Sequence, residues 1–397
     1  MNPTLALLLV SVLKVIVVMI VLLTAVAYLS WFERKVVAHM QSRWGPERVG
    51  PYGLMQPLAD GAKFLFKEDP TPEGVDKTVY FFAPFLAVAL AMSTIAVVPL
   101  GPGQLNIFGY RTWFSVAELN LSLLVVFAFT ALSVYGVALA GWASNSKYPL
   151  LGGLRSSAQM LSYELSMTMS VVGIVLVANT FSLRDIVEHQ RGGIWHWFCV
   201  PQLVGFLIFM ISGVAETNRA PFDLVEAEQE LVGGFHTEYA SFKFAMFFMA
   251  EYAAMVTVSF MVSVLFLGGY LSPFPDTPAF HVTWYLPTLI GVVCGLLMIY
   301  HGLRYRTVWG RIFIPAIGTV VTLIGVVCAL PFAIEVIQGP FWLIFKVTCF
   351  LFFYVWLRGT LPRIRYDQLM SFGWKFLLPV SLANAVLTSL WVALHTS

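Results

Sequence analysis

The sequence predicts an all-α, polytopic integral membrane protein, with about ten membrane-spanning helices and one amphipathic helix at the membrane surface. Three observations carry this fold class. Hydrophobic residues make up 59% of the 397 positions and charged residues only 11%, with a mean hydropathy of +0.81, so a water-facing surface could not be assembled. Apolar stretches long enough to cross a bilayer recur from one end of the chain to the other, as helices must where no water satisfies the backbone. A single polar tract, 33–77, is long enough to hold an extramembrane element. The whole of 1–397 reads as one membrane domain.

The first apolar segment, 4–31, has no small-residue cleavage site and runs directly into Trp31, Phe32, Glu33, Arg34 and Lys35, which predicts a retained helix rather than a removed leader. The tract after it opens on Trp44 to Gly53, where Pro and Gly force turns. From Leu54 to Glu68 the apolar residues Leu54, Leu58, Ala62 and Leu65 recur at helical spacing, with Asp60, Lys63 and Lys67 off the stripe. That pattern predicts an amphipathic helix lying in the interface, and a plain surface anchor is its simplest use. Further spans are predicted at 78–100, 114–141, 157–179, 194–214, 239–268, 283–301, 313–333, 339–358 and 373–394.

Lys and Arg concentrate in the loops after the odd-numbered spans, from Arg34 and Lys35 through Lys147, Arg155 and Arg219 to Arg304, Arg306, Arg311, Arg358, Arg363 and Arg365. The alternate loops hold Arg111, Arg184 and Arg191. The positive-inside rule therefore places both termini outside and the loop at 215–238 in the cytoplasm. A net charge of +2 implies no nucleic-acid partner. Cys199, Cys294, Cys328 and Cys349 stand alone in apolar segments and the seven histidines are scattered, so no metal site is readable. No phosphate-binding loop, dinucleotide fingerprint or paired nucleophile and base appears. Protons, charge and apolar cavities remain as the means of function.

The acidic loop is the densest polar feature. Between Ala215 and Phe235, Glu216, Asp223, Glu226, Glu228 and Glu230 surround a single Arg219. Carboxylates this close cannot all ionise independently, which points to proton storage or movement. A solvated acidic loop is the plainer reading, but Phe222, Leu224, Val225, Leu231, Val232 and Phe235 are interleaved with the charges and argue for packing. Glu164 and Glu251 lie well inside the fourth and sixth spans and Glu118 near the start of the third. A carboxylate at membrane depth is costly unless protonated, paired or wetted, so each is a functional candidate, with an interhelical hydrogen bond as the structural alternative. Tyr163 and Tyr252 flank two of them, and Lys243 lies two turns before Glu251.

Several long motifs, in order, resemble one family. They are E-R-K at 33–35, G-P-E-R-V-G-P-Y-G at 45–53, Q-P-L-A-D at 56–60, K-E-D-P at 67–70 and G-W-A-S-N-S-K-Y at 141–148. L-R-S-S-A-Q-M-L-S-Y-E at 154–164, A-E-T-N-R-A-P-F-D-L-V-E-A-E-Q-E-L at 215–231, F-F-M-A-E-Y at 247–252 and R-Y-D-Q-L-M-S-F-G-W-K at 365–375 continue it. The family they resemble is the H-type membrane subunit of the proton-pumping NADH–quinone oxidoreductase, subunit 1 of mitochondrial complex I.

The resemblance implies a bacterial inner-membrane subunit that joins the membrane arm to the peripheral arm. It implies a quinone chamber walled by Glu33, Arg34, Arg43 and Asp60 together with peripheral subunits, one of which carries the terminal iron–sulfur cluster. Glu216, Glu226, Glu228, Glu230, Glu164, Glu118 and Glu251 match a chain of carboxylates leading into the membrane, with Arg219 as their countercharge and Asp223 beside them. No cofactor is implied on this chain. Quinone is the substrate, FMN and iron–sulfur clusters belong to partners, and small membrane subunits and lipid are the neighbours.

Residues 280–335 depart from the family pattern of about eight spans and read as an added transmembrane hairpin, an even number of crossings that preserves the topology after it. A lipid- or subunit-facing flank is its expected role. A cation–proton secondary transporter is the principal alternative for the whole chain, but it predicts an internal repeat that the sequence lacks. A scaffold subunit would have no use for buried carboxylates.

Overall fold

Residues 3–107, 110–223, 233–275, 283–305 and 308–396 are described by a computed structural model. Among them, nine helices are long and apolar enough to cross a membrane. The first, α1 (Pro3–Met40), is 38 residues long, more than a bilayer core requires, so its last turns carry Glu33 and Arg34 onto the face where the polar tract lies. A tight turn at Pro51–Gly53 follows, and it needs its glycine: Gly53 has φ +74° and a Cβ there would lie 2.2 Å from the Pro46 carbonyl oxygen. Helix α2 (Gln56–Phe66) buries no residue and exposes Leu58, Leu65 and Phe66, as an interfacial amphipathic helix should.

Helix α3 (Lys77–Ser93) is capped by Asp76, which accepts from the amides of Thr78 and Val79. It leads to a short antiparallel ribbon, β1 (Gln104–Ile107) and β2 (Tyr110–Trp113), which the hydropathy pattern does not predict. Helix α4 (Ser122–Ala143) begins later than expected, so Glu118 stands in the turn before it rather than inside it. Helix α5 (Lys147–Ala178) begins ten residues earlier than expected. Its Gly152 and Gly153 do not break it because they are contact points: a Cβ on Gly153 would lie 3.2 Å from the Cα of Gly141 on α4, and one on Gly152 would lie 2.6 Å from the Cα of Gly234.

After the short α6 (Leu183–Glu188), α7 (Leu203–Glu216) is only 14 residues, about 21 Å long, and shorter than the span expected at 194–214. Pro201 sits just before its first turn, and residues 194–196 form a separate short turn. Its far end is closed by protein rather than lipid: Gln159 of α5 donates to the carbonyls of Ala215 (2.8 Å) and Phe222 (3.0 Å), so the chain that follows doubles back against α5. Irregular backbone among membrane helices requires such internal partners.

Helix α8 (Ser241–Phe266) is the axis of the bundle, buried along most of its length against α1, α3 and α7. The hairpin of α9 (Leu286–Leu303) and α10 (Val308–Val327) then precedes α11 (Pro331–Thr360), α12 (Tyr366–Phe372) and α13 (Leu378–Thr396). Lys346 of α11 donates to three carbonyls at the end of α8, those of Leu267 (2.6 Å), Gly269 (2.9 Å) and Leu271 (2.7 Å), and lies 4.3 Å from the Trp197 ring centre. A cation there satisfies the carbonyls a helix end leaves without partners and suits the end of the dipole. On the same side of the bundle Tyr270 donates to Glu188 (2.6 Å), and burial, then that carboxylate, push its phenol above the usual tyrosine range.

Candidate functional site

Four segments far apart in the chain meet around Glu33. This α1 residue is 5% exposed, and a buried carboxylate is tolerable only when its oxygens are engaged. Tyr252 of α8 donates to Oε2 at 2.6 Å, and Arg358 of α11 pairs with Oε1. Arg219 contributes a second cation to the same oxygen, with Nη1 at 4.0 Å. A cavity of about 580 Å³ opens here, lined by Glu33, Arg34, Arg43, Trp44, Phe248, Tyr252 and Arg358 among others. Cationic groups and aromatic faces in one cleft suit a flat molecule that gains negative charge during reaction.

Arg219 separates this cleft from the interior. It follows Asn218, whose left-handed backbone (φ 50°) turns the chain and whose side chain donates to Ser156 of α5. Its other guanidinium nitrogen, Nη2, lies 3.4 Å from Glu251 Oε2, and its Cζ stands 4.2 Å from the Tyr252 ring centre and 5.6 Å from that of Phe248. At 4% exposure it is a buried cation held between one carboxylate on α1 and one on α8. A second, narrow cavity of about 60 Å³ lies beyond it, bordered by Glu216, Glu251, Asn218, Ser133 and Met160. That is room for water beside polar groups.

Glu216 closes α7 and is 8% exposed; among the described residues no donor reaches its Oε2. Glu164, half-buried on α5, is close enough to interact with it electrostatically. Glu33, Arg219, Glu251, Glu216 and Glu164 are therefore brought into one series, drawn from α1, α5, α7, α8 and the segment after α7.

The remaining sequence candidates divide. Arg34 lines the cleft and pairs at 2.7 Å with Asp60, which is not among the lining residues and also accepts from Gln56. Arg43 lines the cleft and donates to Gln41. Asp223 is buried and pairs with Arg363 at 3.3 Å. Glu226, Glu228 and Glu230 lie outside the described residues. Glu118 is not brought to the series: it is on the side of the ribbon β1–β2, exposed, and paired with Arg184 at 3.1 Å. The expected local partners also differ. Tyr163 donates to the Leu369 carbonyl, Tyr252 to Glu33 rather than to its neighbour Glu251, and Lys243 pairs with Asp69 at 3.2 Å.

Sequence reasoning missed Arg358, Phe248 and Trp44 as site residues. Arg358 counted only as one of the charges that orient the chain, and nothing local marks it, because its partner is 325 positions away. Among the described residues no group of three or more His, Cys, Asp or Glu could hold a metal ion.

Known proteins give this arrangement a family. The model of a family described as NADH dehydrogenase matches residues 13–389, a range that includes the α9–α10 hairpin. The NADH-quinone oxidoreductase H-subunit 1 of Solibacter usitatus (strain Ellin6076) is 48% identical over 391 residues, covering 98% of both chains. The NADH-quinone oxidoreductase H-subunit 2 of Koribacter versatilis (strain Ellin345) is 48% identical over 399 residues, again 98% of each. With its helical bundle and near-complete match to all three, the chain belongs to the NADH dehydrogenase family, as an H-type membrane component of NADH-quinone oxidoreductase, respiratory complex I.

Proposed function

We propose that the cleft at Glu33 is this chain's share of a quinone chamber, and that Arg219 couples events there to Glu251, Glu216 and Glu164. One observation carries the reading: a single buried guanidinium lies between a carboxylate that borders the cleft and one that borders the interior cavity. Reduction of a quinone to a quinol takes two electrons and two protons. The electrons arrive from iron–sulfur clusters on partner subunits, fed through FMN, and Arg34, Arg43 and Arg358 favour the negative charge that precedes protonation. Any change in charge at Glu33 alters the balance of attraction on Arg219, and with it the field felt by Glu251 and then by Glu216. Glu226, Glu228 and Glu230, outside the described residues, belong to the same acidic set in this reading, with Arg34 and Asp60 as part of the chamber. Glu118 stands outside the path. The face bearing α2 and the acidic loop is cytoplasmic and both termini are on the outer side, in a bacterial inner membrane with lipid and small membrane subunits around the bundle.

Substitution Glu216→Gln in the intact complex tests the coupling. Quinone reduction and assembly persist while proton translocation per electron falls severalfold; translocation at the wild-type ratio would remove Glu216 from the path.

A further inference from the structure

The α9–α10 hairpin has two different faces. Its inner seam is a glycine contact: a Cβ on Gly291 would lie 2.9 Å from the Cα of Gly325, and one on Gly295 would lie 2.7 Å from the Gly318 carbonyl oxygen. Small residues spaced four apart let two helices touch backbone to backbone, so the hairpin packs closely on itself. Gly295 and Gly302 are the buried residues of α9, and Gly310, Ile314, Gly318 and Gly325 those of α10, so little of the hairpin is covered by other helices.

Besides a contact of α9 with α11, the hairpin is attached at one end. Tyr305, between the two helices, accepts a hydrogen bond from the Tyr52 amide (3.2 Å) and meets the Tyr52 ring edge-on with centres 5.0 Å apart. Arg311 fixes that tyrosine by donating to its carbonyl (2.8 Å). This contact holds the hairpin away from α1 and encloses a crevice of about 1050 Å³, lined by Tyr28, Met55, Leu58, Leu297, Phe313 and Ile317 among other apolar groups. The crevice shares no lining residue with the cleft at Glu33. Met55 and Leu58 place its mouth beside the interfacial helix α2, which fixes its depth at the headgroup level.

The charge that the hairpin brings to that mouth has one sign, and Asp60 on the α2 side is paired with Arg34. Between Asp276 and Glu335 the sequence contains no acidic residue, while Arg304, Arg306 and Arg311 fall within eight positions of each other at the Tyr305 end. His301 lines the crevice itself. The Arg304 guanidinium lies over the Tyr300 ring (4.2 Å), Arg311 is engaged with a neutral carbonyl, and neither has a carboxylate partner among the described residues.

We infer that the crevice between α1, α2 and the hairpin is a binding site for one anionic phospholipid, its acyl chains lying along Leu58, Leu297 and Ile317 and its phosphate meeting Arg304, Arg311 and His301. An apolar slot open at membrane depth takes hydrocarbon, and a basic cluster at headgroup level on one side selects an anionic head. The lipid wedges the hairpin against the turn at Gly50–Gly53. The inference does not rest on the coupling role proposed above, and its test needs no turnover.

The intact complex is reconstituted with phosphatidylglycerol bearing a photoactivatable acyl chain, or with phosphatidylcholine bearing the same chain, and adducts are mapped by peptide mass spectrometry. Adducts on Leu58, Leu297, Phe313 or Ile317 are expected at about fivefold higher yield with phosphatidylglycerol, falling at least that much in R304Q/R311Q. Ile317→Trp, which fills the slot and keeps both arginines, should also lower the yield at Leu58. Equal yields with the two lipids, meaning ordinary boundary lipid, would overturn the inference. So would yields indifferent to the arginine or tryptophan substitutions, or displacement of the lipid from these positions by a quinone of matched chain length.

Discussion

Tyr252 and Glu33 are joined by a 2.6 Å hydrogen bond across 219 positions of sequence, and this bond ties the outermost helix of the cleft to the central helix of the bundle. Removing the donor with Tyr252→Phe leaves one oxygen of a buried carboxylate without it, a cost on the order of 1.5–3 kcal/mol for a hydrogen bond to a charged group. Quinone reductase activity should fall by about tenfold or more, while electron entry from NADH to an artificial acceptor is unchanged. Equal quinone activity in the variant would show that the bond does not order the cleft.

Arg219 is held by two carboxylates at 4.0 and 3.4 Å and by the face of Tyr252. Arg219→Lys keeps the charge on one compact ammonium that cannot span both oxygens. The complex should assemble with quinone reduction intact and a lowered ratio of protons translocated to electrons transferred. Arg219→Met takes a buried cation from between half-buried Glu251 and buried Glu33, which costs about 3–5 kcal/mol, and should be recovered in low yield. A lysine variant pumping normally would argue against a two-sided contact.

Lys346 is a structural prediction. Lys346→Met keeps the length of the side chain and removes the donor from three carbonyls at the end of α8. Each buried acceptor left unsatisfied costs about 1–3 kcal/mol. The melting temperature of the detergent-solubilised complex should drop by several degrees, with the pumping ratio of surviving complex unchanged.

Glu118 distinguishes the linear pattern from the tertiary arrangement. Its pair with Arg184 is exposed, and such pairs are worth about 0–1 kcal/mol. Glu118→Gln should assemble and pump as wild type, measured beside Glu216→Gln in the same membranes. A pumping defect equal to that of Glu216→Gln would return Glu118 to the carboxylate series.

Gly295 tests the hairpin seam. A Cβ at this position would fall 2.1 Å from Thr322 Oγ1 and 2.7 Å from the Gly318 carbonyl oxygen, and the second of these is backbone that cannot turn aside. Gly295→Val should part α9 from α10 and raise labelling of a cysteine placed at Thr322, while α1 to α8 still assemble. Unchanged labelling would mean the helices are not in backbone contact.

Composition and spacing were enough for the environment and for most of the spans, and they marked several of the candidate site residues. An 18-residue apolar run has one stable solution in a bilayer, and charges inside such runs are too costly to be incidental, so α1, α5 and α8 and the carboxylates Glu164 and Glu251 were legible, whereas Glu216 stood out by the crowding of acids in its loop and Glu33 only by the family resemblance. Pairing was not legible. Neighbouring residues on a helix point in different directions, so Tyr252 turns away from Glu251 and reaches Glu33, Lys243 turns to Asp69, and Arg358 joins the cleft from a helix that begins almost 300 positions after Glu33. The sequence by itself determined what solvent the chain lives in and which charges are kept at high energetic cost. Only the tertiary structure decided which of them meet, left Glu118 apart, and set Arg219 between two carboxylates, because electrostatic partnership falls off with distance in space and takes no account of distance along the chain.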